Sequence, residues 1–297
     1  MKRSTIGLVL LLCLSEVFAQ RIAVNRFRHC AMNITTNASV GYSTRRLNAT
    51  YTGYAMRVRR SSDNTTQDIG FTSNGNLDET ALLAFVGSGN GFVTTWYDQG
   101  VNGYHVTQTT AAQQPKIVNA GVIYKNGAGR PYILFINASS TVLRNTTISA
   151  SAIFTSGYIG SVYLVAQASA GSTSVFGFSD GNSNRWQVHL NEAGNLYYDV
   201  GNGYSRVSYA NSANQGVWKQ YTFAAGVASM KVRIQGVQVV SGTSVSACSA
   251  TTWYIGGIPP FPGTWYHDAG IAELIVVNNS VPINPLMETN QMNYWGL

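Results

Sequence analysis

The sequence predicts an all-β fold, a two-sheet antiparallel β-sandwich with one or two short helices. Short runs rich in Val, Ile, Tyr, Phe and Thr recur along the 297 residues, and Gly, Asn and Ser turns separate them. Many of these runs alternate apolar and polar residues, which is typical of strands that are buried on one face. Since many half-buried strands stack as two sheets, a sandwich is expected.

The predicted strands share this composition and alternation. They lie at 55–60, 91–97, 132–136, 161–167, 174–178, 186–190, 196–200, 218–225, 231–240, 252–255 and 270–277. No Pro/Ser-rich linker, charge run or internal repeat divides the chain, so residues 20–297 are predicted to form one domain.

One helix is predicted before residue 87. Asn76 or Asp78 can cap it, an apolar face follows at residues 81–86, and Gly87 can end it. Shorter helical turns are predicted around 43–48 and 284–290.

The N-terminus has the pattern of a secretory signal peptide over residues 1–19. Lys2 and Arg3 precede an apolar run at residues 6–14, and a small-residue cleavage pattern ends at Ala19. That run is much shorter than the roughly 20 residues that span a bilayer. We therefore predict a secreted protein, extracellular or at the cell surface, with no membrane span.

Sequons for N-glycosylation recur in the chain, which suits a secreted glycoprotein. They begin at Asn33, Asn37, Asn48, Asn64, Asn137, Asn145 and Asn278. The alternative is that a Ser/Thr/Asn-rich composition produces them by chance.

Cysteine counting predicts one disulfide. Once the signal peptide is removed, Cys30 and Cys248 remain, and an oxidising compartment favours their pairing. The four histidines, at 29, 105, 189 and 267, show no metal-ligand spacing, so neither a metal nor another cofactor is expected.

The net charge of +7 does not by itself indicate nucleic acid. The basic residues concentrate in the early part of the chain, without the Lys-rich loops and exposed aromatics of a nucleic-acid site. No nucleic-acid partner is expected; an anionic glycan is a better candidate, and an ion-paired surface is the simplest interpretation.

Two segments resemble known families. Tyr97-Asp98-Gln99, a Gly/Asn-rich turn, His105 and Thr107-Gln108 together resemble the catalytic domain of family 54 α-L-arabinofuranosidases. The order of strands after residue 186 resembles the concanavalin A-like, or laminin-G-like, jelly roll. Both resemblances imply one β-sandwich.

The arabinofuranosidase resemblance also implies a candidate nucleophile. Glycosidic cleavage uses two carboxyl groups across the bond, and Glu192, just before Asn195-Leu196-Tyr197, matches the family's nucleophilic glutamate with a small shift. The alternative is a surface residue in a hairpin turn. The loop of the family's acid reads Gly256-Gly257-Ile258 here, and Phe176-Gly177 stands in place of its vicinal cysteines.

Carbohydrate binding needs flat aromatic rings and polar side chains. Trp186, Tyr198, Trp265 and Tyr266 are the candidate aromatic residues, with Asp180 as a polar partner at a strand end. In any β-sandwich about half of the strand aromatics point inward, so Trp265, in a Pro-rich loop, is a stronger candidate than Trp186 in a strand.

Three functional hypotheses follow. The first is a secreted carbohydrate-binding or extracellular surface module that has lost the catalytic pair. The second is an active retaining α-L-arabinofuranosidase with Glu192 as nucleophile and Asp180, Asp199 or Asp268 as acid. The third is a structural assembly protein whose aromatics serve protein contacts.

Overall fold

The computed structural model describes residues 30–34, 38–170, 174–180, 184–203, 205–243, 246–259, 265–278 and 283–297. The predicted signal peptide and the sequon at Asn37 lie outside these residues. Within them, no helix combines the length and the apolar composition needed to cross a membrane.

Strands dominate the described chain. They are β1 (Ala38–Ser43), β2 (Met56–Arg60), β3 (Thr66–Ile69), β4 (Gly91–Trp96), β5 (Val106–Thr107), β6 (Lys116–Asn119), β7 (Val122–Ile123), β8 (Ile133–Leu134), β9 (Leu143–Asn145), β10 (Gly160–Gln167), β11 (Ser174–Ser179), β12 (Asn184–Glu192), β13 (Asn195–Asn202), β14 (Ser205–Ala210), β15 (Trp218–Gly226), β16 (Ser229–Ile234), β17 (Val237–Gly242), β18 (Trp253–Ile255) and β19 (Gly270–Val277). Every predicted strand segment overlaps at least one of these strands.

Three α-helices are present in the described residues: α1 (Glu79–Val86), α2 (Ala150–Ile153) and α3 (Pro285–Trp295). The Asp78 side chain caps α1 by accepting from the Ala81 amide, as predicted. The turn predicted at 284–290 is the start of α3. The prediction at 43–48 was wrong, because β1 continues to Ser43 and Arg45 then bridges to Asn76.

The strands form two antiparallel layers. One layer has the order β14–β13–β12–β11–β18–β9–β5–β4–β2–β3. The other has the order β17–β16–β15–β10–β19–β1. Strands β6 and β8 connect β4 to β19 along one side. The predicted all-β sandwich is confirmed.

The core fills the space between the layers with aromatic side chains. The Phe223 ring, on β15, lies 5.9 Å from Phe176 and 5.6 Å from Tyr198 on the opposite layer. Trp186 and Trp253 belong to the same buried cluster. These contacts fix which face of β11, β12 and β13 points inward.

A buried ion pair ties the second layer to the C-terminal helix. The Arg45 guanidinium donates to both Glu273 carboxylate oxygens, at 2.6 and 2.8 Å. Trp295 of α3 also donates to Glu273, and Arg45 lies over the Tyr294 ring at 4.3 Å. These partners compensate the cost of burying two charges.

The predicted disulfide is wrong: Cys30 and Cys248 are both buried free thiols. Cys30 lies near the Arg45 and Arg46 side chains. Cys248 packs in the main core, where its amide donates to the Gly157 carbonyl and burial raises the pKa of its thiol to about 12. The two thiols therefore sit among different neighbours.

The sequon asparagines differ in exposure. Asn33 and Asn64 are exposed, whereas Asn48, Asn137, Asn145 and Asn278 are half-buried. The Asn145 amide already donates to the His105 carbonyl at 2.8 Å. Exposure favours Asn33 and Asn64 as acceptors, and glycosylation stays a prediction.

Removing one partner of the buried ion pair should destabilise the fold strongly. We expect Arg45→Met to lower the free energy of unfolding by about 3–5 kcal/mol, because it leaves the Glu273 carboxylate buried without its counter-ion. Urea denaturation measures this change. The matched control is Lys125→Met, which breaks the exposed pair with Glu79 and should cost less than about 1 kcal/mol. Equal losses in the two variants would contradict the role given to the buried pair.

Candidate functional site

Strand β12 is buried on both faces, and the two faces differ in chemistry. Trp186, Val188 and Leu190 point into the sandwich core. Arg185, Gln187 and His189 alternate with them and point to the outer side of the sheet, yet they are buried too. Buried polar side chains need partners, so this outer face is a candidate site.

Two of the predicted carbohydrate-binding aromatics lie on the wrong face. Trp186 stacks on Phe154 with ring centroids 4.4 Å apart, and Tyr198 packs against Trp186 at 4.9 Å. Both side chains are fully buried in the core. They therefore have no surface to offer a sugar, and their prediction as binding residues is corrected.

Asp199 of β13 organises the charges of the outer face. The Arg206 guanidinium donates to both of its oxygens, at 2.6 and 2.8 Å, and Arg185 Nε lies 3.1 Å from Oδ2. Gln187 Nε2 also donates to Oδ2 at 3.1 Å. An ionised carboxylate only accepts hydrogen bonds. Asp199 is thus bound through both of its oxygens between two guanidinium groups.

The side-chain amide of Gln187 links Asp199 to His189. The amide nitrogen faces Asp199, because the amide oxygen in that place would face another oxygen acceptor. The same nitrogen lies 2.9 Å from His189 Nε2. We therefore assign the neutral His189 proton to Nδ1. Burial lowers the pKa of His189 to about 3, which keeps the ring uncharged at neutral pH.

Glu192 stands at the end of β12, next to the histidine. Its Oε2 lies 3.3 Å from His189 Nδ1, without the alignment of a hydrogen bond. Desolvation, followed by repulsion from Asp199, raises the pKa of Glu192, although Arg206 and Arg185 oppose the shift. The side chain is 29% exposed, so it is accessible to a ligand.

The turn after Glu192 explains why the carboxyl faces this way. Ala193 and Gly194 both have positive φ, 49° and 86°, as a two-residue hairpin turn requires. Glu192 pairs with Asn195 across this turn. The predicted match of Glu192 to a family nucleophile is therefore compatible with its place beside the polar face.

Trp265 completes the accessible part of the face. Its ring lies 5.0 Å from the His189 ring, nearly perpendicular to it. Tyr266 bridges to Gly257 and packs near Val142, Tyr254 and Ile258. Both rings are partly exposed, as a binding role requires.

Asp180 does not join Glu192. Asp180 follows β11 and accepts from the Asn184 side chain at the start of β12. Glu192 is the last residue of β12, so the strand's eight residue steps, about 26 Å, separate the two ends. The predicted pairing of Asp180 with this site is not supported by the geometry.

The loop that resembles the family's acid loop carries an apolar residue. Ile258 is fully buried beside Val142 and Tyr254. The exposed Asp268, ten residues on, accepts from the Asn137 amide at 3.1 Å. Gly177, on the neighbouring strand β11, carries no side chain that could take part. None would fit there, because a Cβ at this position would lie 2.3 Å from the Trp186 carbonyl oxygen.

Five polar atoms on or beside the outer face have no hydrogen-bond partner in the described part of the chain. They are Ser174 Oγ, Gln187 Oε1, His189 Nδ1, Asn191 Oδ1 and Glu192 Oε2. Ser174 pairs with His189 across β11 and β12, which places the two side chains on one side of the sheet. Unsatisfied buried polar groups are rare in native folds and call for a ligand or solvent partner.

Sequence reasoning missed Arg185 and Arg206. The signal that could have found them is the polar residue at every second position of β12, together with the lone Asp199 on the following strand. The ion pairs of Arg185 and Arg206 with Asp199 can be recognised only after β12, β13 and β14 are aligned.

Comparisons with known proteins agree with this fold. The family described as "Alpha-L-arabinofuranosidase B, catalytic" matches residues 32–229. The protein is thus a β-sandwich of the glycoside-hydrolase type. It belongs to the family of α-L-arabinofuranosidase B catalytic domains. The comparison with curated proteins returned no match.

Solved structures show the same fold at low identity. An arabinofuranosidase complexed with arabinofuranosyl-α-1,2-xylobiose is 16% identical, with a TM-score of 0.66 over 89% of this chain and 64% of that chain. A family 54 mutant soaked with 4-nitrophenyl α-L-arabinofuranoside is 17% identical, with a TM-score of 0.63 and the same coverage. The chain therefore spans about two thirds of the length of these structures.

Stability should fall in mild acid because two buried histidines resist protonation. Burial lowers the pKa of His189 to about 3 and that of His267 to about 4. An unfolded histidine titrates near pH 6.5, so below that pH the unfolded chain binds protons that the folded chain does not. Each histidine should therefore cost roughly 2 kcal/mol of stability at pH 5.

Urea denaturation between pH 7 and pH 5 tests this dependence. His189→Gln should show a shallower loss of stability with falling pH than the parent protein. Glu192 and Asp98, whose pKa values burial raises, act in the opposite direction, but they are present in both proteins. A variant with the parent's slope would show that folded His189 takes up protons as readily as the unfolded residue, against the proposed burial effect.

Proposed function

We propose that this protein is an extracellular carbohydrate-binding protein that uses the outer face of β12 as its binding site. The observation that carries the proposal is the group of five polar atoms without partners around His189 and Glu192. Sugar hydroxyls both donate and accept hydrogen bonds, so one saccharide can satisfy acceptors such as Gln187 Oε1 and the donor His189 Nδ1.

The charges of the site favour a neutral sugar. Asp199 neutralises one guanidinium and Glu192, when ionised, balances the other, while His189 is uncharged. An anionic sugar would find its guanidinium partners already occupied. Trp265, partly exposed at the edge of the site, offers the flat ring on which a sugar can stack.

The second part of the proposal is that this site binds without retaining hydrolysis. Retention needs two carboxyl groups about 5–5.5 Å apart, one of them able to donate a proton. The acid nearest to Glu192 in this network is Asp199, which two guanidinium groups hold as an anion. Asp180 lies at the opposite end of the hairpin, and position 258 is an isoleucine.

The ligand class follows from family membership. Related structures carry arabinofuranosyl-α-1,2-xylobiose and 4-nitrophenyl α-L-arabinofuranoside. An α-L-arabinofuranosyl unit is therefore the first ligand to test on this chain.

Two variants of Glu192 distinguish binding of an arabinofuranoside from its hydrolysis. We expect 4-nitrophenyl α-L-arabinofuranoside to bind in titration calorimetry without releasing nitrophenol. Glu192→Ala should weaken binding at least tenfold, since a hydrogen bond to a charged group contributes about 1.5–3 kcal/mol. Glu192→Gln keeps an amide acceptor but removes the charge, so it should weaken binding less than Glu192→Ala does. Glu79→Ala, far along the chain in α1, serves as control.

One result would establish the competing hypothesis. Steady release of nitrophenol by the parent protein, abolished in Glu192→Gln, would identify an active retaining hydrolase with Glu192 as nucleophile. No binding and no release would leave the assembly protein as the remaining hypothesis.

Trp265 should contribute a stacking contact. We expect Trp265→Ala to weaken arabinofuranoside binding about fivefold, because one aromatic contact is worth roughly 1 kcal/mol. Trp265→Phe keeps a ring and should lose less. Leu286→Ala, at an exposed position on α3, is the control for a general surface change. Unchanged affinity in Trp265→Ala would remove this residue from the site.

A further inference from the structure

The outer face of the first layer continues far beyond the site around His189. Directly paired residues form one row across ten strands, so their side chains share that face. The row is Asp68, Arg57, Thr95, Thr107, Arg144, Tyr254, Gly177, Gln187, Asp199 and Arg206. Nine strand spacings of about 4.8 Å give it a length of about 43 Å.

Aromatic side chains cluster at the far end of this row. The Tyr97 ring lies 6.4 Å from Tyr54 and 4.9 Å from His105, against which it stands edge-on. Tyr54 is 51% exposed, and Tyr97 and His105 are partly exposed. We call these three residues the tyrosine platform.

Hydrogen-bonding groups surround the platform. The Tyr97 hydroxyl donates to Asp68 at 2.7 Å, and Arg57 holds the same carboxylate through two hydrogen bonds of 2.8 and 2.7 Å. Planar polar groups beside partly exposed rings offer both stacking and hydrogen-bonding surfaces to a ligand.

His105 adds a donor of known position. The Asp98 amide donates to His105 Nδ1 at 3.1 Å, and burial lowers the pKa of the ring, so the neutral ring carries its proton on Nε2. The Asp98 carboxylate, in turn, accepts from three backbone amides at Gly41, Gly100 and Tyr104. The ring is therefore held in place by the fold.

We propose that the tyrosine platform is a second saccharide-binding site, which contacts a neutral polysaccharide about 24 Å, or five strand spacings, from Gln187. The charges support a neutral ligand, because Arg57 and Asp68 neutralise each other and His105 is uncharged. A single sugar cannot span that separation, whereas a chain of several saccharide units is long enough to reach both sites. The platform depends on its own contacts and not on the function proposed for the site around His189.

Affinity electrophoresis in native gels tests the proposal with named probes. Gels containing arabinan, arabinoxylan or galactan should retard the parent protein, and a gel containing heparin should not. Tyr54→Ala should lower the apparent affinity for the retarding polysaccharide about fivefold, because it removes one stacking surface. Tyr54→Trp should retain or increase it. Leu286→Ala, at another exposed apolar position, should behave like the parent protein.

The outcomes decide between the two sites. Tyr54→Ala should leave the binding of 4-nitrophenyl α-L-arabinofuranoside unchanged, whereas Trp265→Ala should weaken it. The proposal is overturned if no neutral polysaccharide retards the protein, if only heparin does, or if Tyr54→Ala migrates like the parent. Equal weakening of both ligands by Tyr54→Ala would also overturn it, because that pattern indicates a damaged fold rather than a second site.

Discussion

The alternation of side chains along β12 and β13 is the constraint on which core and site both depend. Each strand gives every second residue to the space between the layers, where Trp186 packs against Tyr198 and Tyr198 meets Phe223 of the opposite layer. The remaining residues must then point outward together. A slip of one residue would exchange the two sets and place Arg185 and His189 in the aromatic core.

Most outer-face side chains of β12 and β13 are buried as well. Their charges must therefore find partners on the neighbouring strands of the same sheet. Asp199 lies between Arg185 and Arg206, which compensates the desolvation of three charges on adjacent strands. The same arrangement determines the chemistry next to it. It orients Gln187, and the Gln187 amide fixes the tautomer of His189. Because that ring is neutral, Glu192 has no cationic partner in direct contact within the part of the chain that the structure describes. The second layer uses the same principle at Arg45 and Glu273, where the pair stabilises the fold.

The local sequence was sufficient to predict most of the strands, the cap at Asp78 and the start of the C-terminal helix, because these depend on neighbours in the chain. It missed β1, β14 and several strands of two to four residues. It was not sufficient to assign faces. Alternation shows that Trp186 and Gln187 point in opposite directions, but only the packing of the second layer decides which one is inside. The cysteine prediction was wrong for a related reason, since counting thiols carries no information about the neighbours of Cys30 and Cys248. The contacts of Asp199 with Arg185 and Arg206 could not be predicted, because they depend on the register of three strands.

The row of paired residues on the sheet and the loop at position 258 are constrained by the fold in different ways. The row from Asp68 to Arg206 depends on strand pairing, so a substitution there disturbs ladders on both sides. Position 258 belongs to a loop, and Ile258 packs there against Val142 and Tyr254 at no cost to any ladder. A carboxyl buried among those side chains would need a hydrogen-bond partner to offset its desolvation. An apolar residue at this loop position thus adds packing without any change to the pairing of the strands beside it.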